Sequence, residues 1–599
     1  MKILGVSLGH DASVCLVIDG ILITAISAER IKKVKKTPYI DWEVLQYVLN
    51  PQGLTIQDID LISIGAYSRD SVGFIKPYFP QDKMHTWPFG NHPPGFNVFD
   101  GSCRLVNDFG YDVFVNNQFY PPITDYTAED FIHCNVVIDD KIVKPGIILN
   151  HHLAHAASVH YTSNFDKSLV FSLDASGIQG QNSSAYFYGD GIRLNYLGSP
   201  DTMIGTFYNC MTELLSYGPG LTKAGTLMGA SSYGRPNEVA INDWEYFAKP
   251  MHLREEKSDD VIWNLNAASR LTKQPYIKLR YFDSEDWKIF KDRISNWTYG
   301  GFMITPSELS DTPQVFNHAA SVQYVFEQTV LKYVDKLYED NKHLNVDNLC
   351  LVGGSFLNCT ANYKVLKNMK FKNLYIYPAC GDDGTSVGAA LWASYNFSSE
   401  PRQKFYSYDL AYTGNFYDDL ESGIDYDESV IAKLLSESKI VAWFDGNSEF
   451  GPRALGHRSF LANPTDPRIK DILNSRVKHR EWFRPFAPIV LWEKTFEWFD
   501  LEVESPYMLF TCPVKQPWRV PGITHVDGTA RVQTLKKEMN SKLYSLIEKL
   551  ESLTGVPIVL NTSLNVNGQP IVETPEDAYK LFETSDIDAI VINNKMFLK

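Results

Sequence analysis

Residues 2–30 read KILGVSLGHDASVCLVIDGILITAISAER, which is three apolar runs separated by two polar turns. The first turn holds Gly9, His10 and Asp11, and the second is the dipeptide Asp19-Gly20. An Asp-Gly pair between β-rich runs predicts a hairpin, because both positions of such a turn need a left-handed backbone. The segment therefore predicts a strand, a polar turn and then a β-hairpin.

This beginning is similar to that of actin-like ATPase domains, and two later segments fit the same α/β class. Residues 351–366 (LVGGSFLNCTANYKVL) and 375–395 (YIYPACGDDGTSVGAALWASY) each run from an apolar strand through a Gly-rich turn into a helix. Such turns bring backbone N–H groups and a helix N-terminus toward a phosphate. Together they favour a nucleotide-binding α/β domain.

The chain is long enough for more than one domain. Its 599 residues correspond to two or three units at about 100–200 residues each. The sequence becomes polar and acidic after Tyr395, so we place a junction near residues 396–405 and expect domains at 1–400 and 401–599. In the second domain, strands are predicted at KIVAWFDG, TARVQTL, VPIVLNTSL and IDAIVINN, and helices at 538–553 and 575–584.

Residues 66–135 stand apart because they are dense in aromatic residues, proline and asparagine. They are too aromatic for a disordered linker, so an ordered insertion with little regular structure is predicted. Such an insertion serves either as a packing or oligomer surface or as one wall of a substrate pocket.

Charge and cysteine content exclude several classes of protein. A net charge of −15 argues against a protein that coats nucleic acid or an anionic membrane, since both need a broad basic face. There is no run of 18 apolar residues, and the start lacks the zones of a signal peptide, so a cytoplasmic location is expected. The eight cysteines are scattered without a CxxC, which is typical of reduced thiols.

Residues 150–165 (NHHLAHAASVHYTSNF) predict a helix that carries His151 and His155 on one face. That spacing suits either a metal or an interior histidine pair. Asp174 ends an apolar strand, and Asp382 and Asp383 lie at a strand-to-helix turn, where a buried carboxylate needs a cation or hydrogen bonds. Two imidazoles and one or two carboxylates suit Fe(II), Mn(II) or Zn(II).

The segment 453–484 carries eight Lys or Arg residues and only three carboxylates. Arginine binds phosphate oxygens in a bidentate manner and lysine adds a compact charge. A solvated helix face is the alternative, but here aromatic residues are interleaved with the charges, as in EWFRPF. We therefore predict an anion site that includes Arg453, Arg458, Lys478, Arg480 and Arg484.

These motifs together resemble the O-carbamoyltransferases of the nodulation-factor and cephamycin type. The likeness covers nearly the whole chain, and the pair FGPRALGHRS with VKHREWFRPFAP is its most specific part. The matching segments are HDAS (10–13), HHLAHAAS (151–158), the strand ending at Asp174, MGASSYG (228–234), VGGSFLN (352–358), GDDGTSVGAA (381–390), FGPRALGHRS (450–459), NSRVKHREWFRPFAP (474–488) and NTSLNVNGQPIV (561–572).

The resemblance implies two α/β modules with separate reactions. The N-terminal module would be an actin-like domain similar to the transferase that makes threonylcarbamoyladenosine in tRNA, and the C-terminal module would be YrdC-like. Carbamoyl phosphate and ATP, the latter with Mg, would give carbamoyl adenylate in the C-terminal module. The carbamoyl group would then pass to a hydroxyl of a small natural product or sugar in the N-terminal module. No nucleic acid or membrane partner is expected, and a homodimer is a possible assembly.

The resemblance also implies roles for individual residues. In the C-terminal module, the KxR and SxN pairs typical of YrdC-like sites would be Lys478 with Arg480 and Ser563 with Asn565. Further cations of the family match Arg453, Arg484 and, in ARVQT, Arg531. In the N-terminal module, an iron-type metal would be held by His151, His155, Asp174 and Asp382, with nucleotide contacts from Gly353, Gly354 and Asn358. His10 would act as a general base or orient the acceptor.

One departure and two alternatives remain open. The segment KAGTLMGASSYG (223–234) has Thr226 where the family usually has lysine, so Lys223 or nothing replaces that residue. A different class of function is an actin-fold kinase or ATP-dependent sensor with a C-terminal anion-binding domain, which would release ADP rather than AMP. Threonylcarbamoylation of tRNA is disfavoured by the net charge of −15.

Overall fold

The computed structural model describes residues 1–67, 74–78, 131–178, 182–200, 202–215, 220–237, 241 and 313–599. The α-helices in these residues are α1 (Ala28–Lys32), α2 (Trp42–Leu49), α3 (His151–Thr162), α4 (Ile204–Leu214), α5 (Gly220–Ser231), α6 (Pro313–Asn341), α7 (Cys359–Asn368), α8 (Thr385–Phe397), α9 (Ser407–Ala411), α10 (Glu428–Ser436), α11 (Ile469–Leu473), α12 (Thr495–Trp498), α13 (Ser541–Thr554) and α14 (Pro575–Thr584). Among the described residues, no helix combines the length and the apolar character that crossing a bilayer requires.

The first sheet begins with the strands predicted at the start of the chain. Its strands are β1 (Lys2–Leu8), β2 (Ser13–Ile18), β3 (Ile21–Ser27), β4 (Leu61–Tyr67), β5 (Ile75–Tyr78), β6 (Phe131–Ile138) and β7 (Ile142–Leu149), in the order β3-β2-β1-β4-β7-β6-β5. The turn between β2 and β3 has φ values of 49° at Asp19 and 78° at Gly20, so the predicted hairpin is confirmed. Parallel pairing of β1 with β4 and of β4 with β7 extends the sheet.

The second sheet repeats the same order of five strands. Its strands are β8 (Lys167–Ile178), β9 (Asn182–Asp190), β10 (Arg193–Gly198), β11 (Asn348–Val352) and β12 (Asn373–Ile376), in the order β10-β9-β8-β11-β12. As in the first sheet, two hairpins lead into two parallel strands. Helices α3 and α8 pack together between the sheets, and a Cβ on Gly388 would lie 1.8 Å from the carbonyl oxygen of Ala154. Close helix packing thus fixes the position of α3.

The third sheet is built from the C-terminal part of the chain. Its strands are β13 (Ile424–Asp425), β14 (Val441–Phe444), β15 (Arg458–Ala462), β16 (Ala487–Leu491), β17 (Phe510–Pro513), β18 (Thr529–Leu535), β19 (Ile558–Ser563), β20 (Ala589–Ile592) and β21 (Lys595–Leu598), in the order β13-β21-β20-β14-β15-β19-β16-β18-β17. The four strands and two helices predicted here are confirmed, as is the α/β class of the chain. We keep the division at 400 and 401 as a proposal.

The two parts of the chain share buried contacts. One hydrophobic cluster contains residues of both, including Phe356 and Phe450. Hydrogen bonds also cross between them, for example from the Tyr363 hydroxyl to the carbonyl oxygen of Asp500 at 2.9 Å. The loops of the third sheet therefore lie directly against the second sheet.

The predicted insertion at 66–135 lies mostly outside the described residues. Residues 68–73 and 79–130 are not described, whereas residues 75–78 and 131–135 belong to strands β5 and β6. Cys103 also lies outside the described residues. The seven cysteines that are described are free thiols, as predicted for them.

Candidate functional sites

Four of the predicted residues meet in one buried group, His151, His155, Asp174 and Asp382, whose ligand atoms all lie within 4.8 Å of one another. The two histidine Nε2 atoms are 3.1 Å apart, and they lie 3.1 and 3.2 Å from Oδ2 of Asp174. The Oδ1 atom of Asp382 is 3.6 and 3.4 Å from the same two nitrogens. We call these four residues the His/Asp cluster.

Local structure explains how the cluster forms. His151 is the first residue of α3, and its N-cap Asn150 accepts hydrogen bonds from the backbone N–H groups of His152 and Leu153. Asp174 lies on β8, and Asp382 begins a 3₁₀ turn that leads into α8. Asp174 lies within β8 rather than at its end, and α3, β8 and the turn before α8 together bring the four side chains into contact.

The cluster fits a divalent cation by distance and by chemistry. Ligand bonds of about 2.0–2.2 Å place the atoms around one ion about 2.8–3.6 Å apart. The five distances given above fall in that range. Two imidazole nitrogens and two carboxylate oxygens form a donor set that suits Fe(II), Mn(II) or Zn(II).

In the His/Asp cluster, the carboxylates and the imidazoles stabilise each other's charged forms. Burial disfavours the ionised form of Asp174, but hydrogen bonds from His151 and His155 hold its pKa well below the usual value. Burial and His151 oppose the charged form of His155, yet its pKa is raised because Asp174 and Asp382 lie beside it. The carboxylates therefore favour a positive charge between them, which a metal ion would also provide.

His10 lies at the edge of the cluster. Its Nδ1 is 3.6 Å from Oδ2 of Asp382, and its Nε2 is 3.2 Å from Oδ2 of Asp11. Burial lowers the pKa of His10, but Asp11 and Asp382 outweigh it and raise the pKa to about 9. A cation bound by Asp382 would offset part of that effect. Asp11 is held in turn by Lys36 Nζ at 2.5 and 2.6 Å.

The Gly-rich turn after β11 packs against Asp174. Gly353 has a φ of +102°, and a Cβ there would lie 2.2 Å from the carbonyl oxygen of Leu173. A Cβ on Gly354 would lie 3.2 Å from Oδ1 of Asp174. The Asn358 side chain accepts a hydrogen bond from Ala361 N at 3.1 Å and exchanges two with Gln323 at 3.0 Å. Asn358 thus caps α7, a role the sequence did not indicate.

In the C-terminal part, Lys478 meets both members of the predicted SxN pair. Its Nζ lies 2.5 and 3.2 Å from O and Oγ of Ser563, and 2.9 Å from both O and Oδ1 of Asn565. A π-helical turn, Asn474–Lys478, directs the lysine inward, and His479 follows with a φ of 45°. Such π turns are frequent at functional sites.

Four arginines form a connected group with this lysine: Arg480 and Arg484 lie near Lys478, and Arg453 and Arg531 lie near Arg484. Burial is the main reason that the pKa of Lys478, Arg453, Arg480 and Arg531 is lowered, and repulsion from Arg484 contributes in each case. The Arg480 guanidinium lies 4.5 Å from the ring centre of Phe486, and Arg453 Nη2 donates to the carbonyl oxygen of Leu357 at 3.2 Å. We call Lys478 and these four arginines the cation cluster.

The cation cluster has few carboxylates to balance it. Glu481 Oε1 is 2.8 Å from Lys223 Nζ, and its Oε2 is 3.5 Å from Arg484 Nη1. Lys223 therefore reaches the edge of the cluster, while Thr226 is buried inside α5. Lys35 also lowers the pKa of Lys478 by repulsion, so an N-terminal loop adds another positive charge. Among the described residues, these five to seven cations lie near Glu481 and, at Lys35, Glu29, so an excess of positive charge is left that suits an anion.

The other four basic residues of 453–484 do not join the cluster. Arg468 pairs with Asp466, Arg476 pairs with Asp586 and Asp588, and Lys470 donates to the carbonyl oxygen of Thr524. Arg458 is fully buried, with its guanidinium 3.5 Å from the ring centre of Phe444. Four of the eight basic residues in the segment 453–484 therefore make contacts within the fold and do not belong to the cation cluster.

Sequence reasoning missed Asp11, Lys35 and Lys36. Lys36 contacts Asp11 beside His10, and Lys35 lies near Arg484 and Lys223. Both lysines belong to the segment after α1 (Lys33–Thr37), which therefore lies between the His/Asp cluster and the cation cluster. The only sequence signal was the run KKVKK at 32–36, which reads as an ordinary solvated charge run.

Two protein-family descriptions match the chain, Carbamoyltransferase N-terminus over residues 2–391 and Carbamoyltransferase C-terminus over residues 432–599. A protein of Synechocystis sp. is 30% identical over 100% of this chain and 96% of its own length. Nodulation protein NolNO of Sinorhizobium fredii is 28% identical over 98% of this chain and 79% of its own. Nodulation protein NolO of Bradyrhizobium diazoefficiens is 32% identical over 74% of this chain and 78% of its own length.

Similarity to solved structures is weaker. The crystal structure of T. kodakarensis HypF aligns at 13% identity with a TM-score of 0.20, over 42% of this chain and 37% of that one. A ROK family glucokinase from Streptomyces griseus aligns at 12% identity with a TM-score of 0.26, over 65% of this chain and 98% of that one.

The two family matches together span most of the sequence, so the resemblance noted from the motifs is confirmed. The chain belongs to the carbamoyltransferase family and is an enzyme of carbamoyl transfer.

Proposed function

We propose that the protein is an ATP-dependent O-carbamoyltransferase that activates the carbamoyl group at the cation cluster and transfers it at the His/Asp cluster. One observation carries this proposal, which is the short structural path between the two clusters. Arg453 binds the carbonyl oxygen of Leu357, and Leu357 belongs to the turn whose Gly354 packs on Asp174. The proposed division at 400 and 401 assigns one cluster to each domain.

The cation cluster would bind carbamoyl phosphate and the triphosphate of ATP, with Mg. Bidentate arginine contacts and the Lys478 ammonium suit phosphate oxygens, and several cations would offset the charge of two polyanions. Atom balance requires one water: carbamoyl phosphate, ATP and water give carbamoyl adenylate, phosphate and pyrophosphate. Water first cleaves the bond between the carbamoyl and phosphate groups of carbamoyl phosphate, which gives carbamate and phosphate. A carbamate oxygen then bonds to the α-phosphorus of ATP, and the bond to pyrophosphate breaks. Ser563 and Asn565 would hold Lys478 in place during this step.

At the His/Asp cluster, a hydroxyl of a small natural product or sugar would attack the carbamoyl carbon. The C–O bond to the adenylate breaks and AMP leaves with the electron pair. His10 would orient the acceptor hydroxyl, or take its proton once a cation at Asp382 has lowered the pKa of the imidazole. A divalent ion held by the four residues, with Fe(II) favoured over Mn(II) and Zn(II), would supply Lewis acidity toward the carbamoyl oxygen or the phosphate.

The products of ATP test this proposal. The full-length protein is incubated with ATP, Mg, carbamoyl phosphate and a panel of hydroxylated small molecules, and the products are separated by liquid chromatography and mass spectrometry. We expect AMP and pyrophosphate that depend on carbamoyl phosphate, and an acceptor heavier by one carbamoyl group. Release of ADP would instead support the actin-fold kinase or sensor, and absence of any dependence on carbamoyl phosphate would remove the proposal.

A further inference from the structure

The turn that carries Arg453 is closed by one buried carboxylate. Residues 450–457 form no helix or strand, yet they must hold Arg453 against the N-terminal part of the chain. Glu449 is 1% exposed, and its Oε1 accepts hydrogen bonds from the backbone N–H groups of Leu455, His457 and Arg458 at 2.8, 2.9 and 3.0 Å. A single oxygen thus joins the start of the turn to its end.

The three hydrogen bonds to Glu449 are stronger than hydrogen bonds between neutral groups, because the acceptor is a carboxylate. Burial disfavours the ionised form of Glu449, but His457, Arg30 and Arg458 lie close enough to lower its pKa. Hydrogen bonds from backbone N–H groups to a carboxylate are shorter and stronger than those to a neutral acceptor. The turn therefore depends on this side chain for hydrogen bonds that regular secondary structure does not supply.

The other side of the turn is held by residues from both parts of the chain. Arg30 Nη2 donates to the carbonyl oxygen of Glu449 at 3.3 Å, and Phe450 N donates to that of Ala411 at 2.9 Å. Gly451 has a φ of +108°, and a Cβ there would lie 2.7 Å from the carbonyl oxygen of Pro378. Because the backbone is this close, a small shift of the turn would move Arg453 away from Leu357.

We propose that Glu449 is a positioning residue that shapes the 450–458 turn and so presents Arg453 to the anion bound by the cation cluster. This inference rests on the proposed function, because it takes the cation cluster as the carbamoyl phosphate site. Glu449 itself does not touch the anion, since its Oε1 is directed at the backbone of the turn.

Glu573 offers a matched control. It is also 1% exposed and lies near the same two arginines, Arg30 and Arg458. Its Oε1, however, accepts from the hydroxyls of Tyr47, Ser448 and Tyr417 rather than from the turn. Loss of Glu573 removes a carboxyl group that is buried to the same extent without removing the three backbone contacts.

The test measures the dissociation constant of inorganic phosphate by calorimetry and the KM for carbamoyl phosphate in pyrophosphate release, on full-length variants. We expect Glu449→Ala to weaken both about tenfold, with little change in the rate of transfer from supplied carbamoyl adenylate. Glu449→Gln keeps an acceptor oxygen and should stay within about threefold of the original protein. Glu573→Ala should lower the Tm but leave both constants close to the original.

Equal weakening by Glu449→Ala and Glu573→Ala would overturn the inference, as would failure of Glu449→Gln to restore binding. If the original protein binds phosphate but releases no pyrophosphate, the proposed function fails and the phosphate constants alone decide the role of Glu449. If the original protein binds no phosphate, both proposals fall together.

Discussion

The Nε2 atoms of His151 and His155 lie 3.1 Å apart, one helical turn from each other on α3, and both face the same oxygen of Asp174. Two imidazoles this close repel each other if both are protonated. If one Nε2–H donates to the other Nε2, the accepting nitrogen also turns its lone pair toward the Asp174 carboxylate, so the three contacts cannot all be hydrogen bonds. A cation between the two nitrogens resolves the conflict, since each imidazole then offers its lone pair to the ion. The histidine pair is the strongest structural argument for a metal.

The first prediction concerns that metal. His151→Ala combined with His155→Ala removes both nitrogen ligands, so the purified variant should lose its bound transition metal, as measured by elemental mass spectrometry. Transfer from supplied carbamoyl adenylate should fall by at least about 100-fold, because outer contacts of metal sites alone are worth about 10–100-fold. Pyrophosphate release at the cation cluster should continue.

His152→Ala is the control for this experiment. His152 is also buried on α3, but its Nδ1 lies 2.8 Å from the hydroxyl of Ser172 rather than at the His/Asp cluster. This variant should keep its metal. Retained transfer in the double variant would contradict the metal assignment.

The second prediction separates the two reactions. Lys478→Ala removes the ammonium that meets Ser563 and Asn565, so carbamoyl-phosphate-dependent pyrophosphate release should fall below detection. Transfer from supplied carbamoyl adenylate should be largely unchanged, because the His/Asp cluster is untouched. Lys470→Ala is the control, since Lys470 belongs to the same basic segment but donates to Thr524. The reverse pattern would mean that the roles of the two domains are exchanged.

Local signals in the sequence indicated members of the His/Asp cluster, and the family resemblance selected the set of four. The spacing of His151 and His155 followed from the period of a helix, and the carboxylates expected at a strand end and at a strand-to-helix turn needed a partner. In the structure Asp174 lies within β8 rather than at its end. Lys478 and Asn565 are 87 residues apart, and only the family resemblance brought them together.

The other features of the cation cluster depend on contacts between side chains and backbone that no local sequence pattern reveals. Arg476 is removed from the cation cluster by Asp586, which lies 110 residues further along the chain. Arg458 looked like an anion ligand from its motif but is buried beside Phe444, its neighbour on the adjacent strand. Glu449 gave no signal at all, because its partners are backbone N–H groups that every sequence contains.

The third prediction tests the Gly-rich turn. Gly353→Ala places a Cβ 2.2 Å from the carbonyl oxygen of Leu173 at a φ of +102°, so the free energy of unfolding should fall by about 1–3 kcal/mol. Gly354→Ala adds a Cβ 3.2 Å from Oδ1 of Asp174, so it should change the stability less and weaken metal binding. Denaturant unfolding and metal content measure the two effects. A Gly353→Ala variant as stable as the original protein would contradict this view of the turn.

The last prediction is a pH dependence of anion binding. Burial is the main reason that the pKa of Lys478 is lowered, and Arg480, Arg484 and Lys35 add repulsion. A bound phosphate supplies negative charge, so the pKa of Lys478 should be higher in the complex than in the free protein. Binding is then strongest below the free-protein pKa and weakens as pH rises from that value to the pKa of the complex, by up to about tenfold per pH unit.

Calorimetry with inorganic phosphate in two buffers of different ionisation enthalpy should detect proton uptake in that interval. Lys478→Arg should take up fewer protons because arginine stays charged, and equal uptake by both proteins would assign the titration to another group.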